Sequence, residues 1–296
     1  MTFGSANRRG GGPGDFAARL GRVERLLSAK GGAAGAAAPL TLLGLVLRYQ
    51  AGRVPVATVV TAAGAVAAGA ELRLAAERFP LLDLPAAVAP IAAEIPLAVA
   101  ALGTDLPDPL LAGGMALTGA TDEEREGLVE QWLDDPATPE PVLGFWVRVA
   151  GGPILEGGRA AIATPSRDEW TGAACPACGG PPQVSVIAEE SGEFMGGSPR
   201  SLVCSRCAGW WTFPRVKCTW CGEGDPRRLP SFVPDERKVA RIDGCETCSS
   251  YVKTFDLREA GGIEVVPLVD DVATVSLDLW ANDQGLARHM VSFAGV

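Results

Sequence analysis

The residues of this chain best suited to chemistry are its cysteines. All eight lie between positions 175 and 248, in four Cys-x-x-Cys pairs: Cys175 with Cys178, Cys204 with Cys207, Cys218 with Cys221, and Cys245 with Cys248. Two intervening residues let both sulfurs of a tight turn face one ion, and two such turns complete a tetrahedron of thiolates around zinc or iron. Eight sulfurs therefore predict two closed four-sulfur sites. Such sites leave no open coordination position for hydrolysis, so they predict structural staples. With iron, each can also exchange one electron. Disulfides are the other use of paired cysteines, but the metal-ligand spacing and the lack of a recognisable signal peptide speak against them. A thioredoxin-type redox pair needs a βαβ context, and none surrounds these four copies.

The segments between the pairs repeat one plan. Gly179 and Gly222 follow the first and third pairs; Ala208 and Ser249 follow the second and fourth. Strand-like runs at 183–188 and 201–203 flank a glycine-rich loop containing Gly192, Gly196 and Gly197. Runs at 229–233 and 239–242 flank a turn at 234–236. Each unit leaves on an aromatic strand, 210–213 or 251–255. This is a duplicated hairpin with a metal site at its open end. The simpler grouping keeps each site within one unit: Cys175, Cys178, Cys204 and Cys207, then Cys218, Cys221, Cys245 and Cys248. Interleaved pairing stays open, because spacing alone does not fix connectivity. Each ribbon has roughly forty residues, too few for a core of its own, so bound metal must supply much of its stability.

What positions this region is a helical half. At 296 residues and 47% hydrophobic, the chain is long and apolar enough for more than one domain. Residues 1–14 read as a glycine-rich disordered tail, in which Arg8 and Arg9 lack the apolar stretch of an export signal. Asp15 predicts the cap of a helix with Phe16, Leu20, Val23, Leu26 and Leu27 on one face, ended at Gly31 and Gly32. Residues 40–50 and 59–79 predict further helices. Apolar residues 81–102, broken by Pro85, Pro90 and Pro96, predict one or more short ones. Thr121 with Glu124 predicts a capping box, with Leu128, Val129, Trp132 and Leu133 inward and a stop at Pro136. Residues 141–162 predict a helical region interrupted at Gly151, Gly152 and Pro153. The uncharged stretch 54–70 is short for a membrane span and reads as a buried helix. Nothing in 15–165 looks catalytic or binds a cofactor, and there is no phosphate-binding glycine loop in context; the half reads as a scaffold or docking surface.

After a linker at 164–171 and the metal region, the chain returns to helix. Asp270 and Asp271 are expected to cap it, with Val272, Val275, Leu279 and Leu286 inward. His289, the single histidine, is expected at a surface or helix end. The resulting division is 1–14 tail, 15–165 all-α domain, 166–214 and 215–262 tandem metal ribbons, and 263–296 C-terminal helix. The fold class is thus α plus small β. The net charge of −9 argues against a general nucleic-acid binder. Locally, nine Lys and Arg face four acids between positions 200 and 241, with Trp210, Trp211 and Trp220 interleaved. That excess can serve nucleic acid or a protein partner. Part of it can simply offset the −2 of each four-thiolate site.

Read in order, CPACGG, CSRC with its tryptophan strand, RVKCTWCGE, CETCSSYVKTFD and DDVATVSLDLWANDQGLAR resemble the formate dehydrogenase accessory protein family, FdhE. The resemblance runs from Cys175 to about Arg288, and the helical half carries no diagnostic motif of the family. It implies a cytoplasmic protein without catalysis of its own. Such a protein would act in the maturation of respiratory formate dehydrogenase by binding the enzyme's catalytic subunit. The resemblance also implies rubredoxin-type sites, hence two iron ions, with the eight cysteines as ligands. Only two of the four pairs are followed by glycine, unlike rubredoxin, so zinc remains the alternative metal. Tyr251, Lys253, Asp270 and Asp271 match the family pattern without an assignable role beyond packing and capping. A rubredoxin-like electron carrier and a zinc-ribbon nucleic-acid binder are the other two functions open to such a chain.

Overall fold

The computed structural model describes residues 12–29, 35–135, 140–166, 168–188, 198–234 and 239–295. Most of the expected tail, Gly31 and Gly32, the stop at Pro136, the glycine-rich loop, most of the 234–236 turn, Arg237 and Lys238 lie outside them.

The N-terminal half is helical: α1 (Phe16–Ser28), α2 (Ala37–Arg53), α3 (Ala57–Ala67), α4 (Ala70–Ala75), α5 (Pro85–Leu102), α6 (Asp108–Gly119), α7 (Asp122–Asp134) and α8 (Pro141–Ala160). Asp15 caps α1 by accepting from the Ala18 amide, and Thr121 and Glu124 close a capping box on α7. The expected helix over 59–79 is two: Gly69, at φ 74°, turns the chain between α3 and α4. The prolines and glycines expected to break α5 and α8 do not. Burial of Ile91, Ile95, Ala98, Val99 and Leu102 along one face of α5 outweighs the roughly 3 kcal/mol that each interior proline costs. In α8 the glycines are points of close approach. A methyl group on Gly152 would lie 2.3 Å from Gln50 Nε2, and one on Gly151 would lie 2.9 Å from Ile91 Cδ1. This lets α8 run through the middle, against α2, α3, α5, α6 and α7.

Two segments, Ala57–Ala75 and Pro85–Leu102, are long and apolar enough to cross a membrane by length and composition. The second lies in the core. The stretch 54–70, expected to be a buried helix, presents one buried face, Val59, Ala62 and Val66, and leaves Val54 and Val60 exposed.

The two ribbons form one sheet. Its strands are β1 (Pro182–Ile187), β2 (Arg200–Cys204), β3 (Trp210–Phe213), β4 (Ser231–Phe232), β5 (Ala240–Cys245) and β6 (Ser250–Asp256), in the order β3-β2-β1-β6-β5-β4. Within each unit neighbours are antiparallel; between units β1 and β6 run parallel, with Val184 opposite Lys253. The second unit therefore repeats the first by translation along the sheet. On one face Leu202, Trp211 and Phe213 join the helical core. On the other, Val184, Val186, Val203, Ala240 and Phe255 pack under two short helices, α9 (Pro267–Ala273) and α10 (Val275–Asp283). The single C-terminal helix expected from sequence is thus two. Leu279 points to solvent, and Leu286 packs beside Ile242, Tyr251 and Ala281.

Candidate metal centres

Four tight turns carry the cysteines, and all share one backbone. The residue after each second cysteine is left-handed: φ is 69° at Gly179, 51° at Ala208, 78° at Gly222 and 53° at Ser249. The glycine-type and plain pairs are thus the same turn, built with and without the residue that favours it. The turn aims amides at sulfur, from Arg206 to Cys204 Sγ (3.3 Å) and from Trp220 to Cys218 Sγ (3.4 Å).

The sulfurs gather by unit. Cys175, Cys178, Cys204 and Cys207 form one group and Cys218, Cys221, Cys245 and Cys248 the other, with the sulfurs of each group within 4.8 Å of one another. Contacts between turns are 3.6 Å (Cys175–Cys207), 3.4 Å (Cys178–Cys204), 3.8 Å (Cys218–Cys248) and 3.6 Å (Cys221–Cys245). None is a disulfide, since all eight cysteines are free. A metal–sulfur bond of about 2.3 Å requires a tetrahedron edge of about 3.8 Å, so both groups fit a four-thiolate ion.

The groups differ in setting. The first is wholly buried in the helical core. Leu81 and Leu82, just before α5, donate their amides to the carbonyls of Pro176 and Ala177 in its first turn. The second group lies at the surface, with Cys221 exposed and Cys248 partly so. Trp220 beside it is half-exposed and stacks on His289, with ring centroids 3.6 Å apart; burial lowers that imidazole's pKa. Each group has one sulfur predisposed to ionise. In the first, hydrogen bonds from Cys175, Cys204 and Cys207 bring Cys178 well down. In the second, burial pushes Cys218 up, but the Trp220 and Cys221 amides and the neighbouring thiols outweigh it and hold it at about 7.

Part of the local basic excess turns inward or pairs with acids, while Arg215, Arg227 and Arg228 stay exposed. Arg200 is buried, donating to Ser185 Oγ at 2.7 Å and to three carbonyls; Arg206 is buried over the Trp132 ring; and Arg241 pairs with Asp243 and Asp256. Arg206 donates to the carbonyls of Cys178 and Trp132. Arg159 reaches the edge of the same cluster, its Nε 2.8 Å from where a methyl on Gly209 would sit.

Sequence reasoning missed a buried ionic cluster on the other sheet face. Lys253 Nζ, fully buried, meets Asp278 at 2.6 Å and Asp271 at 3.1 Å. Arg288 bridges the same two carboxylates at 2.8 and 3.0 Å, and Tyr251 donates its hydroxyl to Asp278 at 2.9 Å. Neither Asp270 nor Asp271 is the N-cap residue of α9, which is Val266. Asp270 lies within α9, accepting from the Val266 amide and pairing with Arg22 of α1; Asp271 binds the cluster and Gln183. The signal was a lysine at an inward position of the alternating run Tyr251-Val-Lys-Thr-Phe255, which needs a buried anion opposite.

A helical domain joined to tandem four-thiol turns on a continuous sheet defines a class of metal-ribbon protein. Comparison narrows it. The sequence profile described as "FdhE, C-terminal domain" matches residues 216–294. The chain is 38% identical over 128 residues to the Protein FdhE homolog of Aquifex aeolicus, covering 43% of this chain and 44% of that one. It is 32% identical over 184 residues to that of Pseudomonas putida, covering 58% and 54%. The match thus spans about half the length of these relatives. The crystal structure of the FdhE protein from Pseudomonas aeruginosa superposes with a TM-score of 0.66 over 95% of each chain, at 20% identity, so the fold is shared. The FdhE resemblance carried by the motifs holds.

Proposed function

We propose that this chain is an accessory protein for formate dehydrogenase, acting in the cytoplasm by binding that enzyme's catalytic subunit and catalysing nothing itself. The observation that carries this reading is the pair of four-thiol groups set in an FdhE-like fold. The eight cysteines hold two ions, one per unit, and the ions fix the sheet against the helices and α9–α10. Iron and zinc both suit four thiolates. Residues 15–165, 166–214, 215–262 and 263–296 act as its working segments, although the ribbons share a sheet. Tagged full-length chain should co-purify with the catalytic subunit before its export, and deletion should impair assembly of the enzyme. No association, together with normal assembly in the deletion strain, rejects the reading.

A second reading has one observation in its favour. The exposed Cys221 gives the second site a surface edge through which an iron ion could exchange an electron. A reversible visible band that bleaches on reduction supports it, and a colourless zinc protein rejects it. Nucleic-acid binding is disfavoured by the net charge of −9.

A further inference from the structure

Where α1, α2 and α8 meet the first metal unit and α9, the packing leaves a cavity of about 40 Å³. That is room for about three waters, or one ion of three or four non-hydrogen atoms. Arg19, Arg148 and Arg206 all line it, and the Nε–H of each is buried without a hydrogen-bond partner among the described residues. Buried orphan donors are uncommon in proteins, and three at one cavity mark a place where acceptors belong.

Two carboxylates also line the cavity, and both are committed. Glu156 is engaged by both terminal nitrogens of Arg19. Asp271 is shared by Lys253, Arg288 and Gln183. Counting charge, Arg19 cancels Glu156, and Lys253 with Arg288 cancels Asp271 with Asp278. Arg148, Arg159 and Arg206 have no carboxylate partner among the described residues; their polar contacts are to carbonyls, Gln183 Oε1 and Thr164 Oγ1. A divalent ion on four thiolates supplies −2 against this +3 and leaves one positive charge over. Burial lowers the Arg148 guanidinium to about 10, with the nearby Asp271 pulling the other way.

We propose that this cavity binds one small planar oxyanion of single negative charge, the size of nitrate or a short carboxylate, held by the Nε–H groups of Arg19, Arg148 and Arg206. Guanidinium groups recognise such ions through charge-assisted hydrogen bonds. Arg19 belongs to α1, Arg148 to α8 and Arg206 to the second cysteine turn, so the ion ties the helical half to the first metal unit.

The test is titration of nitrate, and separately acetate, into the metal-loaded full chain at constant ionic strength, read by calorimetry and by the unfolding midpoint. The expected result is saturable binding of one ion per chain with a matching rise in the midpoint, weakened at least tenfold in Arg148→Gln. A crystal grown in nitrate should show the ion in the cavity, which keeps the test independent of how the variant folds. No saturable binding to the wild type, an equal effect in the variant, or a cavity holding water alone overturns the proposal.

Discussion

The left-handed residue that closes each cysteine turn gives a sharp prediction. An L residue at this φ costs about 1–2 kcal/mol. Glycine avoids that cost but brings a freer unfolded chain, worth roughly 0.5–1 kcal/mol the other way. At Gly222 a methyl group would meet only Lys217 Cε at 3.8 Å, an ordinary contact. Gly222→Ala therefore destabilises through the backbone alone, by about 0.5–1 kcal/mol. Ser249 is exposed, so Ser249→Gly stabilises by about the same amount. Ala208 is 1% exposed. Ala208→Gly gains the same backbone relief but gives up about 0.8 kcal/mol of methyl burial, so it comes out near zero. The expected order is Ser249→Gly above the wild type, Ala208→Gly close to it, and Gly222→Ala below. Urea unfolding of the metal-loaded proteins, followed by tryptophan fluorescence, measures it. A neutral Gly222→Ala together with a destabilising Ser249→Gly would refute the shared turn geometry.

Three further outcomes follow from the packing. Burial pushes the Asp271 carboxyl up, but Arg288 and Lys253 outweigh it and hold the carboxyl below its ordinary value. The stability it contributes is present above about pH 3.9 and is lost as pH falls through the lower folded value. Asp271→Asn should cost about 3–5 kcal/mol near neutral pH, and its gap to the wild type in denaturant titrations should close as pH drops below 4. Gly114→Ala places a methyl 2.5 Å from the Trp146 ring and 2.9 Å from Val99, so its unfolding midpoint should correspond to a loss of about 1–3 kcal/mol. A chelator should empty the second site, with its exposed Cys221, well before the buried first site. Alkylation mapped by mass spectrometry should then label Cys221 and Cys248 first, and equal labelling of all eight would contradict the difference in burial.

The two four-sulfur groups were legible because their information is local: two residues between cysteines build the turn wherever the chain goes. The helices at Asp15 and Thr121 were legible for the same reason, since caps and periodicity act within a turn or two. What escaped was set by partners far along the chain. Gly151 and Gly152 read as a break until Ile91 and Gln50 supplied the surfaces that need them small. Pro90 and Pro96 read as stops because their local cost is visible in sequence, while the burial of α5 is not. The fusion of two ribbons through β1 and β6 rests on a parallel pairing some seventy residues apart. The basic run from Arg200 to Arg241 looked like a surface because sequence does not show that Arg200 and Arg206 turn inward.

Elemental analysis with X-ray absorption on protein purified without air tests directly whether each unit gathers four thiolates around one ion. Two ions per chain are expected, each with four sulfurs at about 2.3 Å, and loss of one ion alone in Cys178→Ser or in Cys245→Ser. Fewer than one ion per chain, oxygen or nitrogen in the first shell, or loss of both ions in either variant would contradict it.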